Sequence, residues 1–466
     1  MKHFDIIIIG SGGGTKLRAL ADNGKTVAII EKSELGGTCL NRGCIPSKML
    51  IYPSDLLTHA REDASKLHIS GLENPKINFE KLIQDTNTQI QADSESIEPA
   101  YQNHKNITLF KGHAKFVSNK TVEVNGDEIT AENIYIATGS IPQIPKISGL
   151  EGTPYMTSKE ALKNTKLPKK MIVIGGGYIA VELGHVYAAA GCDVHFLVRS
   201  SMIKAEDKDI REVFQKDFAA RYNVHFGVSP TEVKYHDEIF SITLDSGEII
   251  ESDALFVATG VTPMTEGLGL ENTDVTLSKR GYIEVDEYLE TKVSGVFALG
   301  DVVGNYLFRH SVNFEGEYLL SSILNSFPSK GKEAAERKPI KYPPMPHAIF
   351  SYPQIGGVGV TEDELEKQGQ KIGVDFETAI HHYKNSAMGS AMKAELGFVK
   401  LIAEKSSGKL IGAHIIGEKS AEMIHMLIVM ISAEMTVDFM IEKMIFIHPA
   451  LPEVIRNAAR TLSKKL

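Results

Sequence analysis

Two cysteines stand five residues apart in the run Gly36-Gly37-Thr38-Cys39-Leu40-Asn41-Arg42-Gly43-Cys44-Ile45-Pro46-Ser47-Lys48. Thiols so spaced can form a reversible disulfide, supply half of a zinc site, or be two buried side chains. On an ideal helix, residues i and i+5 have Cα atoms roughly 8.6 Å apart. A disulfide needs about 4.4–6.8 Å. Pairing of Cys39 with Cys44 therefore requires a distorted backbone, which Gly43 permits. A helix beginning near Pro46 would aim the positive end of its dipole at Cys44 and lower the thiol pKa. The chain has three cysteines. The third, Cys192, stands alone and reads as a small core residue. No second pair completes a zinc site, so redox chemistry is the stronger reading.

Two glycine turns could hold nucleotide phosphates. The first is Gly10-Ser11-Gly12-Gly13-Gly14-Thr15. A dinucleotide fingerprint needs one glycine for the turn and a second where backbone approaches pyrophosphate, at a helix N-terminus. Gly10 and Gly12 meet those needs. Thr15 replaces the third glycine, so either helix and strand pack less closely there or the neighbouring Gly14 compensates. Glu31 ends the next strand, where an acid bonds a ribose hydroxyl. The second turn has Gly175, Gly177 and Ala180. Its next strand ends in Val198-Arg199-Ser200, without an acid. A cation there pairs with a 2′-phosphate, so Arg199, helped by Lys204, favours NADPH over NADH.

The elements around these turns alternate short apolar runs with amphipathic segments, the pattern of βαβ units and a parallel sheet. Phe4–Ile9, Thr26–Glu31, Lys170–Ile174 and Asp193–Val198 read as strands. Leu17–Asn23 and Tyr178–Ala190 read as helices stopped by Gly24 and Gly191. Val399–Ala403 and Leu410–Ile416 read as further strands, followed by amphipathic helices. Ile141-Pro142-Gln143-Ile144-Pro145 suits a hinge, and Asn325–Pro346 a second linker. The predicted fold class is α/β: two Rossmann-like dinucleotide-binding domains plus a C-terminal α+β dimerisation domain. Its expected boundaries are 1–148, with the cysteines; 149–271; 272–343, completing the first domain; and 344–466. His381-His382 lacks further metal ligands and reads as a solvated loop. Met423, Met426, Met430 and Met435 read as core or dimer contacts.

In type, order and spacing these motifs resemble the pyridine nucleotide–disulfide oxidoreductases. That family includes glutathione reductase, dihydrolipoamide dehydrogenase, mercuric reductase and mycothione reductase. The resemblance implies that Cys39 is the interchange thiol that meets substrate and that Cys44 faces the flavin of FAD. It implies that Lys48 sits beside the flavin and pairs with Glu182, and that Tyr178 is a gate that swings aside for nicotinamide. Ala137-Thr138-Gly139 and Ala258-Thr259-Gly260 match loops that close the two nucleotide folds. Val261 stands where the family usually has arginine. Gly300-Asp301 matches the second FAD motif, with the aspartate on the ribityl chain. The implied cofactor-binding set is Gly10, Gly12, Gly13, Gly14, Glu31, Gly37, Thr38, Lys48, Ala137, Thr138, Gly139, Gly175, Gly177, Tyr178, Ile179, Glu182, Arg199, Ala258, Thr259, Gly260, Gly300 and Asp301.

Near the C-terminus, Ile447-His448-Pro449-Ala450-Leu451-Pro452-Glu453 resembles the family's acid–base dyad. Thiol–disulfide exchange needs a group that protonates a leaving thiolate and activates an attacking thiol. Histidine does both near neutral pH, and a carboxylate on its other nitrogen fixes the tautomer. The resemblance implies that His448 and Glu453 serve the cysteines of the other subunit of a homodimer. The implied catalytic set is Cys39, Cys44, Lys48, Glu182, His448 and Glu453. The implied activity moves electrons between NAD(P)H and a low-molecular-weight disulfide, in the manner of mycothione or glutathione reductase. Thr15, Val198-Arg199-Ser200, Tyr306-Leu307-Phe308-Arg309-His310 and the C-terminal motif resemble the mycothione branch. The alternatives are a dihydrolipoamide dehydrogenase using NAD, then a mercuric reductase, whose extra C-terminal cysteine pair is missing, or a redox-inactive flavin-binding protein. A net charge of −9 gives no basis for binding nucleic acid or anionic membranes. Apolar runs are far short of the ~20 residues of a membrane span. The expected location is the cytoplasm.

Overall fold

The computed structural model describes residues 1–72, 74–326 and 337–466. By contacts the chain groups into two units, each assembled from three stretches. The first comprises Met1–Ser47, Ile83–Gln143 and Gly260–Tyr342; the second comprises Lys48–Leu82, Ile144–Thr259 and Pro343–Leu466. This grouping follows contacts, and its divisions differ from the boundaries read from turn chemistry.

The first unit is built on a seven-stranded sheet. Its order is Ile107–Lys111, Val27–Glu31, Lys2–Ile9, Asp127–Ile136, Thr121–Val124 and Lys115–Ser118, with Val296–Ala298 also pairing Asp127–Ile136. Lys2–Ile9 runs parallel to both its neighbours. Its inner residues, Ile6, Ile7, Ile8 and Ile9, are all buried, as a strand covered on both faces requires. The segment after the glycine turn was expected to be a helix from Leu17. It forms instead a 3₁₀ helix over Gly13–Asn23, ended by Gly24 in the left-handed conformation. Leu17 and Leu20 still face the core.

The second unit contains a four-stranded parallel sheet in the order Asn223–Phe226, Asp193–Val198, Lys170–Ile174 and Ala254–Val257. The helix Tyr178–Ala190 follows its glycine turn and ends at Gly191 in the left-handed conformation. A three-stranded antiparallel sheet spans Pro230–His236, Ile239–Leu244 and Ile249–Ser252. The C-terminal stretch forms a five-stranded antiparallel sheet, His347–Ile349, Ile355–Gly359, Leu410–Ile416, Phe398–Glu404 and Phe376–His382. The helices Ser420–Ser432, Val437–Lys443 and Glu453–Ser463 share a core with it. Met423 and Met430 lie in that core, with Met426 and Met435 packed against it.

Two local expectations are corrected here. His381 and His382 end the strand Phe376–His382 rather than occupying a loop, because the strand's pairing with Phe398–Glu404 continues through both. The expected linker Asn325–Pro346 begins inside the helix Arg309–Ser326. Its residues 327–336 lie outside the described residues.

Within Ile141–Pro145 the chain passes from the first contact-based unit to the second. Ser140–Pro142 pairs antiparallel with Val261–Pro263 in the first unit, and the chain enters the second at Ile144.

Candidate active site

The cysteine segment is two helices, not one. Gly37–Arg42 forms the first and Cys44–Glu62 the second; Gly43 separates them with φ −149° and ψ −119°. The second helix was expected to start near Pro46. It starts at Cys44, because Ser47 N–H already bonds the Gly43 carbonyl and Pro46, in the first turn, has no N–H to lose. Cys44 is exposed and Cys39 half-buried. A Cβ on Gly43 would lie 2.9 Å from the Thr38 carbonyl oxygen and 3.4 Å from the Cys39 Cα. Glycine therefore lets the break fold back tightly over Cys39. Asn41 secures the first helix, with its amide donating to the carbonyls of Leu35 and Gly37 at 2.8 and 3.1 Å.

The two glycine turns repeat one packing device. Gly10 and Gly175 both have positive φ, and a Cβ on either would collide with a carbonyl oxygen, of Ala137 and of Ala258 respectively. Each Ala-Thr-Gly loop thus abuts the first glycine of its own turn. Gly12 approaches Gly37 so closely that a Cβ on Gly37 would lie 2.7 Å from the Gly12 Cα. Gly12 and Gly177 each open a helix without a side-chain cap, and space beside Gly139 and Gly177 is open. Thr15 donates its hydroxyl to the Gly12 carbonyl at 2.7 Å. Glu31 Oε2 accepts from Ser11 N–H at 2.9 Å and Ser11 Oγ at 2.7 Å. Thr138 donates to the Met264 carbonyl at 2.8 Å.

Asp301 sits in a short 3₁₀ turn, Gly300–Val302, and its Oδ2 accepts from Ser140 Oγ at 2.6 Å. Burial raises its carboxyl above the ordinary value, against the opposing Ser140 bond. Behind it Glu315 is fully buried and accepts from Gly300 N–H and Tyr342 OH, both at 2.6 Å. Burial raises this carboxyl too, and the nearby Asp301 adds to the rise.

In the second unit Lys48 Nζ lies 2.8 Å from Glu182 Oε2. The other oxygen of Glu182 accepts Phe350 N–H at 2.8 Å, and the Lys48 ammonium sits 4.3 Å from the Phe350 ring centroid. Tyr178 and the exposed Ile179 open the helix that carries Glu182. Tyr178 OH donates to Glu206 at 2.6 Å. Arg199 and the neighbouring Lys204 are exposed just beyond Val198. Val261 lies in the strand Val261–Pro263. Cys192 is buried, which pushes its thiol up to about 12 and fits a core role.

Towards the C-terminus, His448 Nδ1 lies 2.9 Å from Glu453 Oε2, and Arg456 donates to Oε1 at 2.6 Å. Burial would raise the Glu453 carboxyl, but the bond and charge of His448, with Arg456, hold it below the ordinary value. The ionised carboxylate accepts, so Nδ1 carries the proton. Glu453 is buried while the His448 side chain is 70% exposed. Ile445 and Ile447 on the same segment are also exposed.

The structure thus pairs Lys48 with Glu182 and His448 with Glu453. Sequence reasoning missed Glu206, Glu315, His347 and Arg309, whose guanidinium comes within 3.8 Å of the place a Gly12 Cβ would take. Only Arg309 left a trace, inside the segment Tyr306–His310 that resembles the mycothione branch. No group of three or more metal-ligating side chains forms a metal site among the described residues, and no helix there is long and apolar enough to cross a membrane.

Comparison with known proteins shows the family. Residues 4–317 match the model of the pyridine nucleotide-disulphide oxidoreductases, and residues 345–459 match the dimerisation domain of the same family. The chain is 32% identical to mycothione reductase of Mycobacterium tuberculosis, over 98% of this chain and 99% of the relative. It is 30% identical to dihydrolipoyl dehydrogenase 2, mitochondrial, of Arabidopsis thaliana, over 98% and 89%. Among solved structures it is similar to the HOCl-induced flavoprotein disulfide reductase RclA from Escherichia coli. The TM-score is 0.86 at 25% identity, covering 98% of this chain and 99% of that one. The chain belongs to the pyridine nucleotide-disulphide oxidoreductase family and is a flavoprotein enzyme of that family.

Proposed function

We propose that this enzyme reduces a low-molecular-weight disulfide with electrons from NADPH, through FAD and a Cys39–Cys44 redox disulfide. The observation that carries this reading is the helix break at Gly43, folded tightly over Cys39 with Cys44 opening the next helix. Bound FAD supplies the chemistry of accepting hydride from the nicotinamide and passing two electrons to the disulfide. The residues present fit both nucleotides. The uncapped helix starts at Gly12 and Gly177 favour phosphate, Glu31 ends its strand where a ribose is held, and Asp301 lies beside Ser140 for a polyol chain. Arg199 and Lys204 favour the 2′-phosphate of NADPH.

Once reduced, Cys39 attacks one sulfur of the substrate disulfide, and the departing thiolate takes a proton from His448. Cys44 then attacks the Cys39 sulfur, releases the second thiol and restores the protein disulfide. The N-terminal N–H groups of its helix favour negative charge at Cys44. Net, one disulfide and NADPH with a proton become two thiols and NADP⁺. His448 acts on the cysteines of the other subunit, and Glu453 orients it. The dimerisation-domain match and the exposed Ile445, Ile447 and His448 support this shared site. We place the enzyme in the cytoplasm and retain the domain plan 1–148, 149–271, 272–343 and 344–466.

The likeness to mycothione reductase runs nearly end to end and supports a thiol–cofactor disulfide as substrate. The near-equal likeness to dihydrolipoyl dehydrogenase supports the runner-up, oxidation of a dithiol with NAD⁺. The test is steady-state turnover over a panel of small disulfides with NADPH and NADH, beside NAD⁺ reduction with dihydrolipoamide. The expected result is NADPH-dependent reduction of at least one thiol–cofactor disulfide. A strong preference for NAD⁺ and dihydrolipoamide overturns it in favour of the runner-up.

A further inference from the structure

Tyr178 opens its helix directly after the second glycine turn, and its hydroxyl is held from behind. It donates to Glu206 Oε1 at 2.6 Å, and His347 Nε2 lies 2.9 Å from Glu206 Oε2. The rings of Tyr178 and His347 are nearly parallel, at 19°, with centroids 6.4 Å apart. The Glu206 side chain has no exposed surface. Burial alone would raise its carboxyl. The bond and charge of His347 and the bond from Tyr178 outweigh this, holding it ionised.

The backbone that carries this carboxylate is fixed, and His347 holds its other oxygen. Glu206 N–H bonds the Ile203 carbonyl at 2.9 Å, and the Glu206 carbonyl accepts from Arg211 at 2.9 Å. The next residue, Asp207, is buried, caps the helix Lys208–Arg221, and pairs with the buried Lys400 at 2.8 Å. Any swing of the Tyr178 ring therefore breaks its bond and leaves Glu206 with one fewer donor. A buried carboxylate resists that loss.

We propose that Glu206 and His347 are positioning residues that latch Tyr178. Glu206 holds the phenol in place until the nicotinamide displaces it, and His347 loosens the hold by sharing the carboxylate. This rests on the proposed function, in which Tyr178 is the residue that yields to nicotinamide.

A shared latch makes a signed prediction. Tyr178→Phe and Glu206→Gln both weaken the hold, so each lowers the KM for NADPH by about fivefold. Combined they lower it no further than either alone. His347→Leu leaves Tyr178 as the main side-chain donor to Glu206, so KM rises by about threefold. The measurement is KM for NADPH and the rate of flavin bleaching by stopped flow, with flavin content and melting temperature as controls. A structural role alone moves all variants the same way, and that outcome, or additive effects of Tyr178→Phe and Glu206→Gln, overturns the latch. Should Glu206→Gln not fold, the opposite signs of Tyr178→Phe and His347→Leu carry the test. Wild-type flavin that neither nucleotide bleaches defeats the proposed function itself. Normal bleaching with an unchanged KM in Tyr178→Phe defeats the latch alone.

Discussion

Gly14 lies so close to Ala137 that a Cβ added to it would stand 2.6 Å from the Ala137 Cβ, and 3.3 Å from Ile8 Cγ2. The missing third glycine of the fingerprint is thus replaced by its neighbour. Gly14→Ala is expected to cost about 1–3 kcal/mol through overpacking. Thr15→Gly, which restores the usual motif, gains nothing and loses about 1 kcal/mol with the hydroxyl bond to Gly12. Urea denaturation of the two variants checks this. A stabilised Thr15→Gly would show that the packing role belongs to position 15 after all.

Glu182 is a hub, and Lys48 is one of its partners. Glu182→Ala leaves Phe350 N–H without its carboxylate and removes one carboxylate from the Lys48 ammonium, for an expected loss of about 2 kcal/mol. Lys48 is 36% exposed in its side chain, so Lys48→Met, screened by solvent, costs about 1 kcal/mol or less. Denaturant midpoints measured side by side decide the order. If Lys48→Met were the costlier change, the hub would be misassigned.

Glu453 ties stability to pH. Its folded pKa is depressed, so its contribution is present above the unfolded value of about 4.3 and is lost as pH falls through the folded value. Glu453→Gln should therefore be less stable than wild type at pH 7, and the gap should close on acidification below about pH 4. Melting curves across that range test it; a gap constant with pH would rule out the linkage.

Asp301 predicts the opposite slope. Its folded pKa is raised, so its favourable contribution exists below the unfolded value of about 3.9 and is lost as pH rises through the folded value. Asp301→Asn should stabilise the flavin-free protein, by a margin that widens as pH rises from the unfolded value through the folded one, while weakening FAD retention. Calorimetry of the stripped protein and flavin titration measure the two halves. A margin that narrows with pH would contradict the assigned direction.

On the proposed reading, Arg199 carries the preference between nucleotides. Arg199→Asp is expected to lower kcat/KM for NADPH about 30-fold while changing NADH less than about threefold. Equal losses with both would remove Arg199 from the 2′-phosphate.

Sequence patterns disclosed what is local. Gly10 and Gly175 announced the two turns because a strand, a glycine and a helix follow one another within a few residues. Leu410–Ile416 was readable from its apolar run alone. The 3₁₀ path of Gly13–Asn23 was not, since its leucines are spaced as well for an α-helix. Distant partners were also hidden. Tyr178 meets Glu206 across 28 positions and Glu206 meets His347 across 141, and neither acid nor imidazole sits in any motif. Glu315 stands in no motif, although it is fully buried behind Asp301. Burial of a charge is set by the whole fold, not by spacing.

The chain contributes three separate stretches to each unit, and one of the passages between units falls between Ser47 and Lys48, inside the helix Cys44–Glu62. During synthesis the cysteine segment emerges early, yet its sheet lacks Val296–Ala298 until more than half the chain has been made. Neither unit can be cut out as one continuous piece of gene. Cys39 and Cys44 therefore leave the ribosome well before the fold around them is complete, and newly made chains must pass through a stage in which that fold does not yet restrain their thiols.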